Sequence, residues 1–218
     1  MNERSDRPVL VVGIAGGIGS GKSTLARTLV NTLGPAQATL LPHDAYYRDG
    51  FPVPAGARDG DIPDTIDQAL FLEQLALLRA GRPIRPPHSS VLTEHRMGEA
   101  AVVTPRPIVI VEGLLLLWDP AVRAALDLTI YLDAPERVRL ERRLARNSAE
   151  RGRTTDDALT QFAVAIRHAH RTYVEPTRAM ADLVLSTGGR LEPIAEIAVA
   201  VVLDRLARRR GEPARRAS

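Results

Sequence analysis

A short glycine-rich stretch near the amino terminus carries the strongest chemical signal in the sequence. Residues 16–23 fit the pattern G-x-x-x-x-G-K-[ST], which is typical of a loop that binds nucleotide phosphates. Glycines let consecutive backbone N–H groups curl around an anion, and a helix that starts directly after them adds the positive end of its dipole. The predicted phosphate-binding residues are Gly16, Gly17, Ile18, Gly19, Ser20, Gly21, Lys22, Ser23 and Thr24.

Two side chains of this loop have predicted roles of their own. Lys22 is expected to reach the β- and γ-phosphates, and the hydroxyl of Ser23 is expected to bind Mg²⁺. A ligand-free strand–helix turn is the alternative. It is disfavoured because an apolar strand, the loop and a helix follow each other in the order that the motif requires.

Carboxylates follow two further predicted strands, and ligands in parallel sheets sit at the carboxyl ends of strands. These carboxylates are Asp44 and Glu112; one such group is expected to orient or deprotonate an attacking hydroxyl, and a second to hold Mg²⁺, directly or through water. For Asp44 alone, a helix cap is an equally good interpretation. His43 is interpreted as a packed or capping residue, while Tyr46 and Tyr47 are either core residues or one of them lines a substrate pocket.

Arginines are concentrated in the predicted helix 135–150 and just beyond it. Three of them are expected on a solvated helix face: Arg137, Arg139 and Arg142. Four others lie at or beyond the helix end, on either side of Gly152: Arg143, Arg146, Arg151 and Arg153. A hinged, arginine-rich flap is one interpretation of this second group, since it would neutralise charge as a phosphoryl group moves.

Strands and helices alternate along the chain, which predicts a parallel sheet covered by helices on both faces. The predicted strands are 9–14, 39–43, 107–113, 127–132 and 182–185, and the predicted helices are 22–33, 65–80, 135–150, 156–173 and 193–208. Residues 84–104 contain two short extended pieces that are expected to form a hairpin.

Composition narrows the class of protein further. The chain has 218 residues, no cysteine and a net charge of +3, so one domain is the default and disulfides, thiolate metal sites and thiol nucleophiles are excluded. Its polar amino terminus and short apolar runs predict neither a signal peptide nor a membrane span, and a cytoplasmic location is expected. The arginine-rich tail is expected to be solvated and disordered, and a nucleic-acid contact is the minority interpretation.

An ordered set of motifs resembles the uridine kinase and phosphoribulokinase group of P-loop kinases, and most closely the uridine–cytidine kinases. The similarity covers roughly residues 9–189. The matching segments are residues 13–24, D-A-Y-Y-R-D at 44–49, D-I-P-D-T-I-D at 61–67, V-E-G-L-L at 111–115, R-R-L-A-R at 142–146, E-R-G-R at 150–153, V-E-P-T at 174–177 and A-D at 181–182.

The resemblance implies a fold and a set of roles. The fold is an α/β P-loop NTPase of nucleoside-kinase type, with a domain at 1–210, a hairpin insertion at about 82–104, a lid at about 146–156 and a basic tail at 211–218. Asp44 would accept the proton of a nucleoside 5′-hydroxyl, Asp61 would hold the ribose hydroxyls beside Tyr47, and Arg153 would face the nucleoside. Ser23 and Glu112 would serve Mg²⁺. Arg143, Arg146 and Arg151 would lie near the phosphates, and the implied catalytic set is Asp44, Lys22 and Arg146.

One segment departs from the family pattern. Members of the group usually carry Y-D-[FY]-x-x-H-x-R in the hairpin, where Tyr and His read the pyrimidine. This chain has Ser89 and Glu94 at those two positions, while His88 and His95 are each displaced by one residue. A one-residue slip in an extended segment turns a side chain to the opposite face, and a bulge would be needed to bring His95 back.

The sequence thus predicts a kinase that uses ATP, or GTP, and Mg²⁺ to phosphorylate a nucleoside 5′-hydroxyl. The nearest rival is the same chemistry on another alcohol, such as a sugar, a pantothenate-like compound or a modified nucleoside. A GTPase-type switch or a nucleic-acid-dependent ATPase is disfavoured because the N-K-x-D guanine motif is absent, and a dinucleotide oxidoreductase because G-x-G-x-x-G spacing is absent. The expected partner is a small molecule, with neither nucleic acid nor membrane, and the family resemblance suggests a homo-oligomer.

Overall fold

The computed structural model describes residues 9–48, 62–87, 101–151 and 167–211, and for residues 144 and 146–151 only the backbone. Its centre is a five-stranded parallel sheet in the order β2-β3-β1-β4-β5. The strands are β1 (Leu10–Gly16), β2 (Ala38–Pro42), β3 (Ile108–Glu112), β4 (Leu128–Asp133) and β5 (Leu183–Ser186). All five predicted strands are therefore confirmed, with bounds that differ by a residue or two.

The central strands are buried on both faces. Every residue of β1 and of β3 is buried, as the continuous apolar sequence of a central parallel strand predicts. One face packs against a core that includes Phe71, Leu75 and Leu78, and the other against a core that includes Leu25, Leu29 and Val202. The sheet is thus covered on both faces by helices, as expected.

The helices that supply these contacts are α1 (Lys22–Leu33), α2 (Gln68–Arg79), α3 (Pro120–Ala124), α4 (Glu136–Arg151) and α5 (Glu192–Arg209). The predicted start of α2 at residue 65 is wrong by three residues. A 3₁₀ turn occupies Pro63–Thr65, and the helix begins after Asp67, whose carboxylate accepts a hydrogen bond from the backbone N–H of Leu70 at 3.1 Å.

The segment before β5 is less regular than the predicted helix 156–173. Its described part has a short α-helical piece at Arg167–Ala169, a π turn at His170–Val174 and a 3₁₀ stretch at Glu175–Met180. π turns often mark functional sites. Helix α3 was not predicted either, because five residues are too few to show helical periodicity.

Only the ends of the predicted hairpin belong to the described residues. Ile84 and Val103 form an isolated antiparallel bridge with backbone hydrogen bonds of 3.1 and 2.9 Å. The segment between them that carries Ser89, Glu94 and His95, together with Asp61, Arg153 and the tail beyond residue 211, lies outside the described part of the chain. No helix within the described ranges is long and apolar enough to cross a membrane.

Asp127 joins three elements at the end of the sheet opposite the phosphate-binding motif. Its Oδ2 accepts hydrogen bonds from the backbone N–H of Val11 at 2.8 Å and from Arg79 of α2 at 2.9 Å. Its Oδ1 pairs with Arg209 at the end of α5. The carboxylate therefore fastens α2 and α5 to the start of β1.

Asp127→Asn should lower the free energy of unfolding by about 2 kcal/mol, since it leaves two partly buried arginines without their carboxylate. Urea denaturation followed by circular dichroism measures the change. Glu141→Gln is the matched control, because it removes an exposed i,i+4 pair with Arg137, and it should cost no more than about 0.5 kcal/mol. Equal effects of the two substitutions would contradict the role given to Asp127.

Candidate active site

The glycine-rich loop lies where β1 ends and α1 begins. Gly16, Gly19 and Gly21 have φ values of 141°, 79° and 100°, which side chains with a Cβ rarely adopt. A Cβ on Gly16 would lie 2.5 Å from the carbonyl oxygen of Leu132, and one on Gly19 would lie 2.4 Å from that of Arg139. The loop is therefore pressed against the ends of β4 and α4, and the first backbone N–H groups of α1 have no partner inside the helix.

Lys22 and Ser23 stand at the start of α1. Lys22 is buried, and its Nζ donates a hydrogen bond to the carbonyl oxygen of Gly17 at 3.1 Å. The hydroxyl of Ser23 donates to Oε1 of Glu112 at 3.1 Å. Glu112 is the last residue of β3 and pairs in register with Ile14, so the parallel sheet itself brings this carboxylate beside the loop. The structure thus joins two predicted metal-binding residues, whereas Thr24 is exposed.

The second predicted carboxylate, Asp44, lies in a 3₁₀ turn, His43–Tyr46, that directly follows β2. Pro42, the residue before this turn, pairs with Glu112, so Asp44 lies at the same edge of the sheet as the loop. Tyr46 is a core residue, as one of the two interpretations held: it is fully buried, and its hydroxyl donates to Gln74 at 2.7 Å. Burial raises the pKa of Tyr46 well above its usual value. Tyr47 is also buried in that core.

His43 is a packed residue, as expected. It is fully buried, its ring meets Phe71 edge-on at 4.7 Å, and its Nε2 is hydrogen-bonded to Oε1 of Gln68 at 3.0 Å. A Cβ on Gly113 would lie only 2.7 Å from the Cβ of His43. The imidazole therefore sets the spacing between the turn that carries Asp44 and the end of β3.

Two arginines of α4 contradict the expected solvated face. Arg139 is only 4 % exposed, and its Nε donates to the carbonyl oxygen of Ala134 at 3.1 Å. Arg142 donates to the carbonyl oxygens of Ser20 at 3.3 Å and Thr187 at 2.9 Å, so it braces the phosphate loop against the loop after β5. Arg137 is exposed, as expected. The register of α4 explains the difference, because residues 139 and 142 share the face that meets the loop.

The arginines of the predicted lid are described only in part. The side chain of Arg143 is buried. Arg146 and Arg151 belong to α4, but their side chains, like the whole of Arg153, lie outside the described part of the structure. The expected lid at 146–156 and the expected domain limits therefore stay predictions.

An open cavity of about 460 Å³ lies beside the turn that carries Asp44. Its lining includes Arg48, Ile66, Gln68, Trp118 and Asp119. Neither the loop nor the two carboxylates belong to this lining. We take the loop as the phosphate site because its backbone geometry and its polar contacts, rather than a deep cavity, are what a polyphosphate needs.

Comparisons with known proteins identify the family of the chain. The family model "Phosphoribulokinase / Uridine kinase family" matches residues 55–192, which is more than half of the chain. The chain belongs to this family. It is 39% identical to a uridine kinase from Clostridium botulinum (strain 657 / Type Ba4) over 197 residues, which cover 89% of this chain and 95% of that protein. It is 36% identical to a uridine kinase from Deinococcus deserti over 86% of this chain and 92% of that protein.

Solved structures of kinases share the fold of this phosphoribulokinase/uridine kinase family member. A protein assigned as a fructose transport system kinase from Silicibacter sp. TM1040 superposes with a TM-score of 0.68 and 25% identity, over 85% of this chain and 93% of that one. A protein assigned as a uridine kinase from Bacillus stearothermophilus superposes with a TM-score of 0.55 and 20% identity, over 82% of this chain and 89% of that one. The expected P-loop kinase fold is confirmed, and the chain is a kinase.

Sequence reasoning missed several residues that shape the site of this kinase. The hydroxyl of Thr187 donates to the carbonyl oxygen of Ser20 at 2.9 Å, and His170 lies against Gly17, where an added Cβ would come within 2.9 Å of its Cε1. These contacts join residues more than 150 positions apart in the sequence. The resemblance to V-E-P-T at 174–177 located the segment after His170 but gave no signal for the histidine itself.

Burial has a consequence for pH dependence, because desolvation lowers the pKa of His43 to about 4. The unfolded chain binds a proton at this histidine below its usual pKa of about 6.5, whereas the folded chain does not. The contribution of His43 to the free energy of unfolding should therefore be fully present above about pH 6.5. It should fall between pH 6.5 and 4, by at most about 1.4 kcal/mol per pH unit.

His43→Gln removes this titration while keeping a polar partner for Gln68, so it should reduce the loss of stability across that pH window. Urea denaturation at a series of pH values measures the slope. The same substitution at His168, which is exposed, serves as the control and should leave the slope unchanged. An unchanged slope in His43→Gln would mean that His43 is not held neutral by the fold.

Proposed function

We propose that this kinase transfers the γ-phosphoryl group of ATP, in the presence of Mg²⁺, to the 5′-hydroxyl of a nucleoside. The observation that carries the proposal is the joining of three elements at one edge of the sheet. Lys22 in the phosphate loop, the Ser23–Glu112 contact and the Asp44 turn all follow the carboxyl ends of β1, β2 and β3. The curated relatives named above are uridine kinases, which favours a nucleoside as acceptor.

The donor side of the reaction rests on the loop. Its positive-φ glycines leave a surface of backbone N–H groups that suits a polyphosphate. Lys22, which donates to the carbonyl oxygen of Gly17, adds a positive charge that would attract phosphate oxygens. GTP presents the same triphosphate, so it stays an alternative donor. We propose that Arg143, Arg146 and Arg151 stabilise the negative charge that develops on the phosphates during transfer.

The Ser23–Glu112 pair fits Mg²⁺, since a hydroxyl and a carboxylate oxygen 3.1 Å apart form a hard-oxygen donor set at the edge of the loop. An ion held by these two residues would supply positive charge that offsets the negative charge of the phosphates. Ser23 and Glu112 would hold it together with the phosphates, in keeping with the usual preference of Mg²⁺ for one or two carboxylates plus substrate oxygens.

The acceptor side rests on Asp44, which we propose as the base that takes the proton from the attacking hydroxyl. His43 fixes the turn that carries it, because the fully buried imidazole is wedged between Phe71 and Gly113. We propose that Asp61 binds the ribose hydroxyls beside Tyr47 and that Arg153 faces the nucleoside. The hairpin residues Ser89, Glu94 and His95 would face the base.

A second acceptor class has specific support. Ser89 and Glu94 occupy the positions where the family usually has Tyr and His, and the similar structure from Silicibacter sp. TM1040 is assigned as a kinase of a fructose transport system. A sugar, a pantothenate-like alcohol or a modified nucleoside is therefore the alternative substrate. Homo-oligomers remain a proposal from the family resemblance, and a nucleic-acid partner is not part of the proposed function.

An acceptor panel tests the proposal. The purified kinase with Mg·ATP should convert uridine or cytidine to a 5′-monophosphate, measured by liquid chromatography and mass spectrometry, and should leave 5′-deoxyuridine unchanged because this analogue lacks the reacting hydroxyl. Fructose, ribose and pantothenate are tested in parallel. Turnover of one of these alcohols with no transfer to any nucleoside would overturn the nucleoside assignment in favour of the second acceptor class.

Asp44→Asn should lower kcat by roughly 10²–10⁴, the usual contribution of a positioned acid–base group, while the thermal shift caused by Mg·ATP is retained. Steady-state kinetics and a melting assay measure the two effects. Asp204→Asn, on the outer part of α5, is the control and should keep full kcat. A normal kcat in Asp44→Asn would reduce Asp44 to a residue of the turn.

A further inference from the structure

Arg139 is the most deeply buried arginine among the described residues, although it lies on a helix rich in exposed charge. Its Nε has a partner, the carbonyl oxygen of Ala134. Its Nη1 is buried and has no hydrogen-bond partner in the described structure. Burying a guanidinium N–H group without a hydrogen-bond acceptor costs free energy, unless a ligand supplies the acceptor.

Of the three carboxylates whose field reaches Arg139, two contact other arginines. Asp133 pairs with Arg178 at 3.2 Å, and Glu136 accepts a hydrogen bond from Nε of Arg167 at 2.9 Å. The third, Glu175, is exposed. Within the described ranges, therefore, Arg139 has no ion pair of its own.

The unpartnered nitrogen lies against the phosphate loop. A Cβ on Gly17 would be 2.7 Å from Nη1 of Arg139, and the backbone oxygen of the same arginine lies against Gly19. The carbonyl of Gly17 also accepts the hydrogen bond from Lys22. Two cationic side chains thus meet the same residue of the loop.

His170 is a third side chain beside Gly17, and it adds no charge. Its ring lies against Gly17, beside Arg139. Burial, with the positive charges of Arg139 and Lys22, lowers the pKa of His170 to about 4, so the imidazole is neutral at physiological pH. The side chains beside Gly17 are therefore two cations, Arg139 and Lys22, and one neutral imidazole.

We propose that Arg139 is a positioning residue for the phosphate donor, a buried cation beneath Gly17 whose counter-charge is the polyphosphate of the bound nucleotide. The proposal rests on the donor binding of the proposed function and adds a residue to it. A positive charge this close to the loop attracts the phosphates through a medium of low effective dielectric, and it also opposes the approach of Lys22 in the free protein. The buried charge thus destabilises the free protein, and nucleotide binding offsets this destabilisation.

Three substitutions test this role. Arg139→Met removes the charge and the donor groups, Arg139→Gln removes the charge but keeps an N–H donor for Ala134, and Arg139→Lys keeps the charge. Arg137→Met is the matched control, because Arg137 is exposed and lies two residues away on the same helix. Thermal midpoints are measured alone, with Mg·ATP, with Mg·tripolyphosphate and with uridine, and the KM values for ATP and for the acceptor are measured separately.

Loss of the charge should raise the KM for ATP about tenfold, with the acceptor KM unchanged. The thermal shift caused by Mg·ATP and by Mg·tripolyphosphate should shrink in Arg139→Gln and Arg139→Met, and Arg139→Lys should recover most of it. Arg137→Met should match the wild type. If Arg139→Met fails to fold, Arg139→Gln and Arg139→Lys decide the question.

The two proposals fail in different ways. A wild-type protein with no thermal shift from Mg·ATP and no transfer would overturn the proposed function. A wild-type protein that binds and transfers normally, with an undiminished shift in Arg139→Gln, would overturn the role of Arg139 alone. Equal losses for ATP and for the acceptor would also overturn it, because they would indicate a general distortion of the fold.

Discussion

The close contact between the phosphate loop and its neighbours is the constraint on which the site depends. Gly16 and Gly19 meet the backbone oxygens of Leu132 and Arg139 with no room for a side chain. The loop therefore takes its shape from β4 and from the first turn of α4 as well as from its own sequence. Because α4 also carries Arg143, Arg146 and Arg151, the same contact links the phosphate loop to the arginines that we propose as lid residues.

Parts of this arrangement follow from the sequence because they are local or repeat along the chain. The loop motif and the apolar run of β3 are such features, and the parallel register that places Glu112 beside Ile14 follows from the fold class. The pairing of Ser23 with Glu112 could thus be expected from the sequence alone. The bounds of α2 could not, because Asp67 and Thr65 compete as its starting residue and only the cap geometry decides.

The predicted orientation of Arg139 and Arg142 was wrong for a physical reason. Charge alone favours solvent, and the helical period of α4 shows which residues share a face but not which face meets the protein. Arg139 and Arg142 turn inward because the loop offers backbone carbonyls and a glycine surface, features that come from residues more than 100 positions away. His170 was missed for the same reason, and its irregular π turn has no sequence period to detect.

The contacts of Asp127 place the end of α5 at the opposite end of β1 from the phosphate loop. Arg209 at the close of α5 is anchored beside the start of β1, whereas the phosphate loop begins at Gly16, six residues after Leu10. At about 3.3 Å per residue, a strand of this length separates the two points by about 20 Å. A fluorescent label, an affinity tag or a surface linker attached at the end of α5 would lie far from the phosphate loop, so the enzyme can be immobilised there with the proposed active site facing the solution.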